Sequence, residues 1–198
     1  MRWEHHDADT AGEFLKDGRR YGRLVRNIKQ PHLLIQAFIR IAADFPNWTL
    51  ELWGAEDKRR YQKKLQRMVD EAGLAARIRF CGTTQDVPRV LEGADLYVMP
   101  SAREGFGMAL AEAFSMGLPA VGFRSCIAVR ALLRDGESGL LAADGAEALA
   151  EKMAVLMRDR HLRMRMGRAA RASMRVYAPE MIWGRWEDLM QEVAATSP

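Results

Sequence analysis

Leu96-Tyr97-Val98-Met99-Pro100-Ser101-Ala102-Arg103-Glu104-Gly105-Phe106-Gly107-Met108-Ala109-Leu110-Ala111-Glu112-Ala113 is the stretch that decides the fold. Four apolar residues run up to Pro100 without alternation, which is how a strand covered on both faces reads. A Gly-x-Gly turn follows. Helical spacing then runs from Met108 to Met116, with Gly117 at the cap position. The first amides of such a helix have no internal partner and carry partial positive charge. Gly105 and Gly107 let a ligand come close to the backbone. Together these suit a bound phosphate. Glu104 lies in the turn before the helix and Glu112 about one turn inside it. Carboxylates accept hydrogen bonds, so the two suit sugar and ribose hydroxyls, and the helix end suits the phosphate. Taken alone, the same turn also reads as a plain connection with two solvated glutamates, because a lone Gly-x-Gly is weak evidence.

Outward from this segment the chain alternates short strands and helices. Pro31 opens a helix carried by Leu33, Leu34, Ala37, Phe38 and Ile41. Trp48 to Trp53 reads as a strand ending at Gly54. Tyr61, Leu65, Met68, Val69 and Ala72 mark a helix that stops near Gly73. Strands are expected at Ile78–Cys81, Pro119–Phe123 and Gly139–Ala142, with short helices at Val87–Leu91 and Ile127–Leu133. Beyond residue 145 the pattern is helical only, interrupted at Tyr177-Ala178-Pro179. The fold class expected is α/β: a Rossmann-like parallel sheet with helices on both faces, plus C-terminal helices. In such sheets ligands bind beyond the carboxyl ends of the strands, here at Gly54, Gly82 and Pro100 to Gly107.

The 198 residues, 48% hydrophobic and 28% charged, are ordinary globular values. No run of about 18 apolar residues is present, and the polar start Glu4-His5-His6-Asp7 is unlike a signal peptide, so a cytoplasmic location is expected. Cys81 and Cys126 match no metal spacing and are expected to be buried free thiols. The net charge of +4 fits an anionic small ligand or weak attraction to an acidic membrane surface, and does not call for nucleic acid. Seven arginines between Arg158 and Arg175 read as the solvated face of a helix. Trp183 and Trp186 read as a contact surface.

A second segment, Gly22-Arg23-Leu24-Val25-Arg26-Asn27-Ile28-Lys29, places two cations around a loop that leads into the Pro31 helix. Arg23 and Lys29 there suit a diphosphate and the charge that builds on a departing phosphate, and read equally as ordinary surface cations when taken alone.

The two segments together resemble retaining glycosyltransferases of the two-domain GT-B class, the group often called family 4, in their C-terminal donor-binding half. The matching elements are Gly22-Arg23-Leu24 with Lys29, Glu104 and Glu112 with seven residues between them and Glu104 opening Glu-Gly-Phe-Gly, Gly117-Leu118-Pro119-Ala120-Val121-Gly122, and Asp135-Gly136-Glu137-Ser138-Gly139-Leu140-Leu141. The resemblance implies that Arg23 and Lys29 hold the donor's diphosphate, Glu104 the transferred sugar and Glu112 the ribose. It puts Gly105, Phe106, Gly107, Met108 and Ala109 against sugar and phosphate, and Gly82, Thr83 and Val87 near the base. It implies transfer of a hexosyl group to a glycan or lipid-linked acceptor, with a nucleotide-diphosphate sugar as donor, no metal and no further cofactor. The organisation expected is an atypical polar segment over 1–20, a nucleotide-sugar-binding domain over 21–178 and a C-terminal helix over 179–198.

Four departures accompany the resemblance, the smallest being that Lys29 is followed by Gln30 where Gly is usual. No acceptor domain precedes Gly22, so activity is expected to need one, from a separate chain in the alternative reading of a non-catalytic binding or assembly module. The strand leading into Gly22 is replaced by the charged run Lys16-Asp17-Gly18-Arg19-Arg20-Tyr21, so that strand is expected to be frayed or substituted. Arg124-Ser125-Cys126-Ile127 stands where two glycines and Pro-Glu are usual.

Overall fold

A computed structural model describes residues 13–17, 29–54 and 59–196; Gly22, Arg23 and Leu24 lie outside the described residues. The chain runs β1 (Glu13–Asp17), α1 (Pro31–Ile41), β2 (Trp48–Trp53), α2 (Arg59–Glu71), β3 (Ile78–Gly82), α3 (Val87–Glu92), β4 (Leu96–Met99), α4 (Met108–Ser115), β5 (Ala120–Phe123), α5 (Ile127–Leu132), β6 (Gly139–Ala142), α6 (Ala146–Arg158) and α7 (Arg160–Ser173). A 3-10 turn (Met174–Tyr177) leads into α8 (Pro179–Thr196).

The six strands form one sheet in the order β3-β2-β1-β4-β5-β6. All four residues of β4 and all four of β5 are buried. Strands of that kind need a helical layer on each side. On one side α1, α2 and α6 pack Leu34, Ile35, Phe38, Leu65 and Met153 against Leu50, Leu52, Val98 and Phe123. On the other, α3, α4, α5 and α7 pack Leu91, Leu110, Phe114, Val129 and Ala170 against Tyr97, Met99 and Ala120.

The sheet is parallel within β2–β3 and within β4–β5–β6. At its centre it departs from the expected all-parallel arrangement: β1 pairs antiparallel with both neighbours, Leu15 opposite Leu50 of β2 and Leu96 of β4. The hydrogen-bonding edges of β2 and β4 require a partner, and a strand of either direction satisfies them. Of the charged run expected to be frayed or substituted, Lys16 and Asp17 lie in β1, and Gly18 to Tyr21 lie outside the described residues. The chain from Gly18 to Ile28 lies outside the described residues.

Two arginines, Arg77 half-buried and Arg163 buried, tie the layers together. Arg77, just before β3, donates to the carbonyls of Ala42 (2.8 Å), Phe45 and Trp48 (2.8 and 3.0 Å), and its guanidinium lies 5.3 Å from the Phe38 ring centroid. Arg163 of α7 donates to Leu156 (2.8 Å) and Met157 (3.0 Å), carbonyls in the last turn of α6 that lack helix partners. It also stacks on Trp48 at 4.9 Å. Only 5% of Arg163 is exposed, so the arginine-rich stretch is not a uniformly solvated face. Cys126 is buried as expected, but Cys81 is only half-buried, because it sits on the edge strand β3.

Replacing Arg163 by Met leaves two buried carbonyls without donors. The expected cost is about 2–3 kcal/mol, read as a fall in Tm of roughly 4–12 °C. Arg165→Met, on the exposed side of the same helix, is expected to leave Tm within about 2 °C.

Candidate functional site

The carboxyl ends of the parallel strands present Gly54, Gly82, Ser101 and Arg124 in loops at one end of the sheet. The loop after β4 is the most elaborate. Gly107 caps α4 in the left-handed region, φ 85° and ψ 45°, with no side-chain cap. Its carbonyl accepts from Leu110 (2.9 Å) and Ala111 (3.1 Å). The amides of Met108 and Ala109, in the first turn, therefore have no helix carbonyl to donate to, and they stand at the positive end of the α4 dipole. The backbone conformation at 107 is one that a side-chain-bearing residue rarely adopts. Leu132 and Ala128 of α5 close in beneath it. Gly105 faces open space.

Glu104 ion-pairs with Lys29, which stands just ahead of α1. Their side chains are 9% and 17% exposed. A carboxylate and an ammonium so far withdrawn from water need each other, because desolvation of either alone is costly. The pair joins two expected site residues from distant parts of the chain, one loop from the β1 side of the sheet and one from β4. Glu112 is half-buried on α4 and has a bonding partner of its own. Phe106 and Met108 are exposed at 45% and 50%, and the Phe106 ring meets Tyr177 edge-on at 5.3 Å.

Gly82 and Thr83 are exposed at the end of edge strand β3, and Val87 is half-buried at the start of α3. Asp86 caps that helix by accepting from the Arg89 amide at 3.1 Å. This part of the site is separated from β4 by β2 and β1 in the sheet order. Beside it lies a cavity of about 540 Å³ lined by Trp53, Thr84, Asp86 and Arg89, with Glu51 at 1% exposure among its walls. Glu51 accepts from Trp53 Nε1 and Cys81 Sγ, each at 3.3 Å, and lies 3.8 Å from Arg79. Sequence reading missed Glu51. The one signal available was the alternation of Trp48-Thr49-Leu50-Glu51-Leu52-Trp53, which sets Thr49, Glu51 and Trp53 on a common face. Arg23 lies outside the described residues. Among the described residues there is no cluster of three metal-ligating side chains, and no helix is long and apolar enough to cross a membrane.

A phosphate-ready helix end, a buried acid–base pair and flanking loops at the carboxyl ends of one sheet are joined by a family match. The model of the glycosyl transferases group 1 family matches residues 20–173. The chain belongs to that family. An exopolysaccharide phosphotransferase of Streptomyces coelicolor is 31% identical over 169 residues, 84% of this chain and 18% of that protein. Among solved structures, the C-terminal domain of a group 1 glycosyl transferase from Francisella tularensis superposes with TM-score 0.71 at 26% identity, covering 80% of this chain and 83% of that one. An Anabaena protein, HepE, solved with UDP-glucose, gives TM-score 0.70 at 26% identity over 78% of this chain and 42% of that one. The fold is thus that of the C-terminal domain of a GT-B glycosyltransferase. The chain spans less than half the length of the curated relatives it matches.

The left-handed cap makes a local prediction. Gly107→Ala is expected to cost about 1–2 kcal/mol in chemical denaturation. Gly105→Ala, where φ is not left-handed and space is open, is expected to cost well under half of that.

Proposed function

We propose that this chain is the donor-binding domain of a retaining glycosyltransferase that moves a hexosyl group from a nucleoside diphosphate sugar to a glycan or lipid-linked acceptor. The observation that carries the reading is the Lys29–Glu104 pair beside the first turn of α4. It sets a cation for phosphate and an acceptor for sugar hydroxyls next to unpaired amides. The diphosphate lies against Lys29, Arg23 and the amides of Gly107, Met108 and Ala109. These donors stabilise the charge that builds on the leaving diphosphate. Glu104 takes a hydroxyl of the transferred sugar, with Gly105 and Phe106 along the same loop. Glu112 takes the ribose hydroxyls. The base lies toward Gly82, Thr83 and Val87. Metal and cofactor have no part in this scheme. The acceptor site belongs to another domain or chain, which meets the donor site from the open side of the loops.

Lys29 and Glu104 neutralise each other, so a bare nucleoside diphosphate that takes Lys29 leaves Glu104 charged and buried beside it. A sugar-bearing donor supplies hydroxyls that Glu104 accepts from. The site as built therefore favours donor over product.

Thermal unfolding with UDP, GDP and ADP tests the reading. A nucleotide at 100 times its Kd is expected to stabilise the chain by about 2.7 kcal/mol. Arg23→Ala and Glu112→Ala are expected to abolish the shift. A cooperative transition that none of the three nucleotides moves would sink the proposal. Glu104→Gln makes a sharper case. It removes a buried negative charge beside the diphosphate, so free nucleoside diphosphate is expected to bind roughly tenfold tighter, while the preference for the sugar-bearing form narrows. Calorimetric titration with both ligands reads the two affinities. Weaker binding of both forms would show that Glu104 acts only as structural support.

A further inference from the structure

α8 stands apart from the two layers that cover the sheet. No residue of it belongs to either core. Ile182 and Gly184 are half-buried, and every residue from Arg185 to Ala195 is exposed. Among the described residues its main neighbour is the 3-10 turn that leads into it. A helix of 18 residues with nothing packed along it is marginal in water.

Its apolar side chains are nevertheless in order. Ile182, Trp186, Leu189 and Val193 follow one another at intervals of four, three and four, the spacing of a coiled-coil seam. Trp183 and Met190 flank the seam on one side, and Arg185 and Glu192 flank it on the other. Trp183, Trp186, Leu189, Met190 and Val193 are 48% to 66% exposed. An apolar face of this extent calls for a partner.

The flanks say which partner. Arg185 and Glu192 occupy equivalent positions of successive heptads, as do Trp183 and Met190. When two such helices run antiparallel about a two-fold axis, each flank meets the same flank of the other copy. Trp186 then lies against Leu189 of the second copy, and Ile182 against Val193. Trp183 meets Met190 twice, and Arg185 meets Glu192 twice. A parallel pair sets Arg185 against Met190 and gives it no opposite charge. Among the described residues Arg185 makes no ion pair within the chain, and a carboxylate such as Glu192 accepts from more than one donor. Two tryptophans and four smaller apolar side chains bury on the order of 600 Å² per copy. The pair then buries on the order of 1,200 Å², the lower end of specific interfaces. We propose that α8 pairs antiparallel with α8 of a second copy of this chain. The two Pro179 ends lie about 27 Å apart, with one copy's sheet beyond each. The pairing uses no residue of the candidate donor site.

Sedimentation velocity in reducing buffer, over roughly 1–200 μM chain, tests the pairing. The parent is expected to pass from monomer to dimer across that range. Trp186→Glu, at the centre of the face, is expected to weaken association about tenfold or more. Arg185→Glu and Glu192→Arg each set like charges opposite one another twice, and each is expected to weaken it about fivefold. Mixed in equal amounts, these two variants are complementary at both contacts, and the mixture is expected to associate within about threefold of the parent. The mixture carries the test if Trp186→Glu melts early. A parent that stays monomeric throughout, as it would if α8 seats only on a different domain or protein, overturns the proposal. So does a dimer that Trp186→Glu leaves intact, or a pair of charge variants whose mixture recovers nothing.

Discussion

The arrangement depends on burying β4 and β5 on both faces. Each is a four-residue strand with every side chain withdrawn from water. Such strands leave no polar face to point outward, so α1, α2 and α6 must cover one side and α3, α4, α5 and α7 the other. Once both faces are occupied, the loops at the strand ends are the sheet's remaining access to solvent. The candidate site lies there, with Glu104 and Gly107 raised directly off the end of β4. Burial of the strands thus sets both the core and the position of the site.

Most of this was readable before any coordinates. The α4 segment announces itself through an unbroken apolar run, a glycine turn and a helical period, and the structure follows it to within a residue or two. The direction of β1 was not readable. Glu13–Asp17 carries no signal for which way it runs, and the edges of β2 and β4 accept a strand of either direction. Arg163 was misread for a similar reason. Its neighbours on α7 are exposed, and only the stacking of α7 on α6 and Trp48 buries it. Glu51 and Cys81 meet across β2 and β3, thirty residues apart, a distance that local pattern does not bridge.

The residues of the candidate site stand out in the sequence by type, and their pairings do not. Glu104, Gly107 and Glu112 follow from a spacing within one loop and helix. The contact between Lys29 and Glu104 joins the start of α1 to the loop after β4, and local spacing does not reveal it. It changes how both residues are understood, since each is the other's partner. The arginines of α7 show the converse. Their number was plain in the sequence, but which were engaged and which stood exposed was visible only in three dimensions.

Arg77 has a wider consequence. The elbow between α1 and β2 exposes the carbonyls of Ala42, Phe45 and Trp48, and all three are satisfied by one guanidinium that arrives from the next repeat of helix and strand. The first unit is therefore not self-contained. A chimera that exchanged residues 31–53 with a relative would have to bring along a matching donor at position 77, or inherit an unsatisfied corner. Recombination boundaries in this domain are better placed after Arg77 than between β2 and α2.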